Sequence, residues 1–91
     1  MKMLVIEDEL LLARQLIGML HLFEQGAELA GPLNSVEASV KWLGNNPSPD
    51  LILMDIELAD GQCFDIFEQV KINCPVIFIL HMMSMRCARL K

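Results

Sequence analysis

The residues best suited to chemistry lie in two short acidic clusters. Glu7, Asp8 and Glu9 follow an apolar run at residues 3–6, and Asp55 and Glu57 follow a second run at 51–54. If those runs are neighbouring strands of an open parallel sheet, their carboxyl ends lie side by side, where such sheets bind ligands. Glu7, Asp8 and Asp55 then meet at one edge. Carboxylates held that close repel one another unless a cation neutralises them. An all-oxygen set without His or Cys suits Mg²⁺, which takes one or two carboxylates together with waters and phosphate oxygens. Acids also favour helix N-termini, where they complement the macrodipole, and both clusters stand just before a helix or loop. Spacing alone leaves both readings open.

The elements that must position these acids follow from periodicity. Residues 3–6 form a short apolar run, as a strand buried on both faces does. Leu12, Leu16, Met19 and Phe23 recur at helical spacing, with Ala13, Ile17 and Leu20 alongside, and Gly26 closes that helix. A weaker strand at 27–31 ends at Gly31-Pro32. Asn34 with Glu37 three residues on forms a capping-box pattern. Val36, Val40 and Leu43 make the inner stripe of a second helix, with Gly44 as its C-terminal cap. Residues 45–49 read as a loop, 51–54 as the third strand, and Asp60-Gly61 as a turn. A third helix follows with Phe64, Phe67 and Val70 inward and Asp65 and Glu68 outward; residues 75–80 are the fourth strand. Strands alternating with helices predict an α/β fold built on a parallel sheet with right-handed crossovers.

Four stretches then resemble a known family. Met3-Leu4-Val5-Ile6-Glu7-Asp8-Glu9, Pro49-Asp50-Leu51-Ile52-Leu53-Met54-Asp55-Ile56, Asp60-Gly61 and Cys74-Pro75-Val76-Ile77-Phe78 are similar, in order and spacing, to a response-regulator receiver domain. The wording Asp55-Ile56-Glu57-Leu58-Ala59-Asp60-Gly61-Gln62 resembles receivers that precede a LytTR-type DNA-binding domain. The resemblance implies a flavodoxin-like open sheet with helices on both faces and strand order 2-1-3-4. It implies that Asp55 accepts a phosphoryl group from a sensor histidine kinase. Asp8 matches the direct Mg²⁺ ligand, Glu7 the acid that reaches the metal through water, and Glu57 the position whose backbone carbonyl ligates it. Asp60-Gly61 matches the turn that shapes the loop after the phosphoacceptor.

Departures from the pattern are equally specific. Receivers have five βα units, and this sequence stops after the fourth strand, so the lysine at the end of a fifth strand has no counterpart. Leu80 stands where a phosphate-binding Ser or Thr is expected. Residues 1–80 read as a truncated receiver and 81–91 as a basic tail outside the family. One base deleted near codon 80 of an ordinary receiver gene accounts for the Met-rich tail and its stop, so the tail is expected to be a frameshift product. Restoring that base should reopen a frame with the fifth strand and its lysine.

Composition narrows the function classes. The chain has 91 residues, 54% of them apolar, which excludes disorder and leaves room for one domain. No apolar stretch reaches the roughly 18 residues a membrane span needs, and Glu7-Asp8-Glu9 interrupts any signal-peptide pattern. Neither a membrane nor a nucleic acid is expected as a direct partner: all 12 acids lie in residues 1–80 beside Lys2, Arg14, Lys41 and Lys71, and an acidic body repels phosphates. Residues 81–91 carry Arg86, Arg89 and Lys91 with no acid. Cys63, Cys74 and Cys87 lack metal-ligand spacing and read as reduced thiols of a cytoplasmic protein. Cys63 and Cys74 are read as small apolar fillers, Trp42 as a packing residue, and His21 and His81 as solvated.

Two function classes follow, neither an enzyme in its own right. The first is a phosphoacceptor receiver impaired by truncation. The second, favoured by Leu80 and the missing lysine, is a non-switching pseudo-receiver that serves as an interaction or oligomerisation module. An aspartate-nucleophile phosphohydrolase fits poorly, because Glu57 holds the position where such enzymes place a second aspartate. Loss of the last unit leaves the fourth strand as an apolar edge and uncovers Leu12, Leu16 and Leu20 of the first helix. A homo-oligomer through those surfaces is therefore expected.

Overall fold

The computed structural model describes residues 1–79. In chain order the elements are β1 (Lys2–Ile6), α1 (Leu10–Phe23), β2 (Glu28–Leu33), α2 (Val36–Asn45), β3 (Leu51–Asp55), β4 (Glu57–Leu58), β5 (Gly61–Gln62), α3 (Cys63–Gln69) and β6 (Val76–Ile79). Four strands form one sheet in the order β2-β1-β3-β6, and every pairing is parallel. This is the parallel sheet expected from the alternation, in the flavodoxin-like order that the resemblance implies, with β6 as the fourth strand of that reading. The ribbon β4–β5 is additional: the segment read as a loop and turn pairs antiparallel, Glu57 opposite Gln62 and Leu58 opposite Gly61.

β1 and β3 are central, and the apolar runs that identified them are buried on both faces, as parallel strands under helices are. On one face Leu4, Ile6, Ile52 and Met54 join Val36, Leu58, Cys63 and Ile66 in a single core cluster. α2 and α3, which also contact each other, supply its cover. The side-chain alternation of a strand puts Met3, Val5 and Leu53, also buried, on the opposite face. α1 lies there, against β1 and β2.

Several local expectations are corrected. Of the α1 stripe, Leu12 and Leu16 are half-buried, but Met19 and Phe23 are exposed, and the buried α1 residue is Ala13. A small side chain at the contact lets the helix backbone approach the sheet while its larger neighbours flank it. The N-cap of α2 is Ser35 rather than Asn34, with its hydroxyl accepting the Ala38 N–H at 3.0 Å. Gly44 is helical, and the C-cap is Asn46. The second strand runs two residues beyond its expected end at Gly31, to Leu33.

The face of α3 is rotated from the expected one: Cys63 and Ile66 are buried, whereas Phe64 and Phe67 are exposed; Val70, just past the helix, does pack inward against the core. Phe67 still meets Phe78 of β6 edge to face, with ring centroids 6.4 Å apart. The stripe of α2 stands as expected, Val36 buried and Val40 and Leu43 against the core. Trp42 is half-buried and lies under the Lys2 ammonium, 5.3 Å from the ring centroid. No helix among the described residues is long and apolar enough to cross a membrane. Leu80, His81, Met82, Met83, Met85 and Cys87, and with them the tail reading, lie outside the described residues.

Candidate metal centre

Register brings the two acidic clusters together. Ile6 pairs with Met54, so the residues that follow each leave adjacent strands at the same end of the sheet. One carboxylate oxygen from each of Glu7, Asp8 and Asp55 lies within 4.8 Å of the other two. Glu7 is 1% exposed and Asp55 3%, while Asp8 is half-buried. Low exposure weakens the screening that water would give and strengthens repulsion within the group.

Backbone hydrogen bonds fix where each strand end points. The Glu7 N–H donates to the Leu33 carbonyl at 2.8 Å, pinning the end of β1 to the end of β2. The Glu7 carboxylate in turn accepts the Glu9 N–H at 3.1 Å. Glu9 is the N-cap residue of α1, but its side chain makes no capping bond. Asp55 is the last residue of β3 and Glu57 the first of β4, so neither begins a helix. Asp55 and Glu57 thus stand at strand ends, and Glu7 meets the backbone at the start of α1.

Asp60 caps a helix from a distance. Its carboxylate accepts the Val36 N–H at 2.6 Å and the Glu37 N–H at 3.1 Å, at the start of α2. The bond from Val36 is the main cause holding the Asp60 carboxyl below its ordinary range. Nothing local in the sequence announces this contact, because it joins positions 24 residues apart.

Glu57 stands two residues beyond Asp55, half-buried, and its side chain is outside the three-carboxylate group. The loop that carries it is closed at its base by the Cys63 N–H donating to the Ile56 carbonyl at 2.7 Å. A capping box between Gln62 and Asp65 starts α3, with the Gln62 N–H donating to Asp65 at 2.9 Å. A side chain at Gly61 would meet that same Asp65 carboxylate at 2.6 Å, so a larger residue in the Asp60-Gly61 turn would have to displace the capping box. Burial pushes the Cys63 thiol up, and the Asp55 charge adds to it. Burial likewise pushes the Cys74 thiol up. Both cysteines stay neutral thiols, in keeping with a packing role.

Neither a family model nor a curated protein sequence matches the chain. Solved structures do. The N-terminal domain of a response regulator/sensory box/GGDEF three-domain protein from Carboxydothermus hydrogenoformans aligns over 92% of this chain and 67% of its own, with TM-score 0.71 and 29% identity. The fold here is that of a response-regulator receiver domain. The MaeR response regulator bound to beryllium trifluoride shares that fold, with TM-score 0.62 and 23% identity over 97% of this chain and 73% of its own. A fusion carrying a trimeric coiled-coil segment of yeast Spc42 also aligns, with TM-score 0.68 and 26% identity over 97% of this chain. The chain spans 57% of the length of that fusion. As a receiver fold, the chain sets Asp55 at the end of a central strand and the Glu7–Asp8 pair at the end of its neighbour.

Proposed function

We propose that the chain is a phosphoacceptor receiver of a two-component phosphorelay, which takes a phosphoryl group from a sensor histidine kinase onto Asp55 with Mg²⁺. The observation that carries this reading is the meeting of three carboxylates from the ends of β1 and β3 within 4.8 Å. The gathered donors are all oxygen, and two of the three acids are almost wholly buried, a set that suits a hard divalent cation. Asp8, Asp55 and the backbone carbonyl of Glu57 would hold the ion directly, and Glu7 would reach it through water. Bound there, Mg²⁺ supplies charge neutralisation for phosphoryl oxygens.

The chain's own part in the chemistry is positioning. An Asp55 carboxylate oxygen attacks phosphorus, the P–N bond of the donor phosphohistidine breaks, and its electron pair returns to the imidazole. Asp55 is a weak nucleophile, so its fixed place on a central strand matters more than its basicity. Titration with Mg²⁺, followed by NMR or Trp42 fluorescence, should saturate in the wild type and vanish in Asp55→Asn and Asp8→Asn. A flat titration of the folded wild type would overturn the reading. Beryllium trifluoride, which MaeR binds, should bind this chain in an Mg²⁺-dependent way and leave Asp55→Asn untouched.

Leu80, where the resemblance expects Ser or Thr, favours a second reading: an interaction module that binds the cation but does not switch. Treatment with a small phosphodonor separates the two, since only the first yields a stable phosphoaspartate. The partners in our reading are a sensor histidine kinase and a second copy of the chain, in the cytoplasm. Self-association would use the β6 edge, where Ile77 and Phe78 are exposed, and α1, where Leu22 and Phe23 are. A clean monomer by light scattering at tens of micromolar (roughly where weak association shows) would remove the oligomer from that reading.

A further inference from the structure

The ribbon β4–β5 links two places that the sequence keeps apart. It begins two residues after Asp55 and reaches, at Asp60, the N-terminus of α2. The first turn of a helix leaves its leading N–H groups without helical partners. In α2 those of Val36 and Glu37 donate to the Asp60 carboxylate, and that of Ala38 donates to the Ser35 hydroxyl. Two different devices thus cap one helix. Ser35 does so from within the same chain segment, whereas Asp60 does so from the loop that leaves the phosphoacceptor.

Resting on the reading of Asp55 and Mg²⁺ above, we propose that Asp60 is a positioning residue: its bond to the first turn of α2 sets where the β4–β5 ribbon, and hence the Glu57 carbonyl, stands relative to the carboxylate group. The ribbon has just two residues in each strand, too few to hold an orientation unaided. Its other fixed points include the Ile56–Cys63 bond at its base, the Gln62 N–H donating to Asp65 at 2.9 Å, the buried Leu58, and the Ala59 N–H donating to the Asn34 carbonyl at 3.4 Å. That last bond is long, so between the ribbon and α2 the Asp60 bonds, at 2.6 and 3.1 Å, are the closer hold. The depressed Asp60 carboxyl agrees with a charged acceptor engaged by those N–H groups.

The test compares two caps of the same helix. Asp60→Ala removes the one that also holds the ribbon, and Ser35→Ala removes the one that does not. Mg²⁺ affinity is read by NMR titration, and stability by denaturant midpoint on the same samples. Asp60→Ala should weaken Mg²⁺ binding by about 10–100-fold, the range for loss of an outer-shell partner. Asp60→Asn keeps an acceptor oxygen and should fall between Asp60→Ala and wild type; it carries the test if the alanine variant fails to fold. Ser35→Ala should lower the denaturant midpoint and leave the affinity at the wild-type value. Equal affinity in wild type, the Asp60 variants and Ser35→Ala overturns the proposal, as does equal weakening by loss of either cap, which would mean general loosening of α2. A folded wild type that takes up no Mg²⁺ overturns the Asp55 reading itself and this inference with it.

Discussion

The two faces of the sheet are built on different scales. Under α2 and α3, side chains from four helical or ribbon positions (Val36, Leu58, Cys63 and Ile66) close over Leu4, Ile6, Ile52 and Met54. Under α1, Met3, Val5 and Leu53 are buried, but the helix answers with Ala13 as its one fully buried residue. Leu10, Leu11, Met19, Leu22 and Phe23 of α1 remain exposed. The lesson is that apolar content does not measure core. α1 is the more apolar helix, yet the shorter α3 contributes the larger buried side chain, because what counts is the face turned to the sheet.

The sharpest way to break that comparison is to cut the filled face. Ile66→Ala, at a wholly buried position, should cost about 2–5 kcal/mol by denaturant unfolding. On the other face the sensitive direction is the opposite one. Ala13 is wholly buried, so Ala13→Leu should cost about 1–3 kcal/mol through overpacking. If Ala13→Leu instead stabilises the protein, α1 does not sit close to the sheet.

Much of this arrangement was legible in the sequence. The central strands announced themselves as unbroken apolar runs, and Glu7, Asp8 and Asp55 stand together because parallel pairing aligns the ends of β1 and β3. What escaped was helix phase. In α3 the large apolar residues Phe64 and Phe67 suggested the inner face, but the Gln62–Asp65 capping box and the Cys63–Ile56 bond fix the start of the helix. From that start, Cys63 and Ile66 turn inward. The Asn34–Glu37 pattern misled in the same way, since the adjacent Ser35 satisfies the helix with its own hydroxyl. The cap supplied by Asp60 had no local signature at all.

Smaller effects refine the comparison at its junction with the site. Ser35→Ala should cost about 0.5–2 kcal/mol, the usual range for a lost N-cap. The Asp60 carboxyl lies below its ordinary value of 3.8 in the folded chain, so its contribution to stability is present above that pH and lost as pH falls through its folded value. Asp60→Asn should therefore flatten the acid limb of the stability curve. The carboxylate is fully exposed, so added salt should shrink this effect further. The smallest change in stability is expected on the open side of α1. Leu22→Lys should alter it by no more than about 0.5 kcal/mol while reducing self-association in light scattering. A Leu22→Lys protein that unfolds readily would mean that this side is covered after all.

The all-parallel sheet also has a consequence for how the chain reaches its fold. Lys2 pairs with Glu28, Met3 with Leu51 and Ile52 with Val76, so no strand of the main sheet meets its partner through a short turn. Each pairing must close a long loop before it gains anything, which slows folding. β1 precedes both its partners in the chain yet lies between them in the sheet. During synthesis it waits for residues 28–33 on one side and for 51–55 on the other. For that interval its apolar run is an open template, and other nascent copies compete for it with the strands that have yet to emerge.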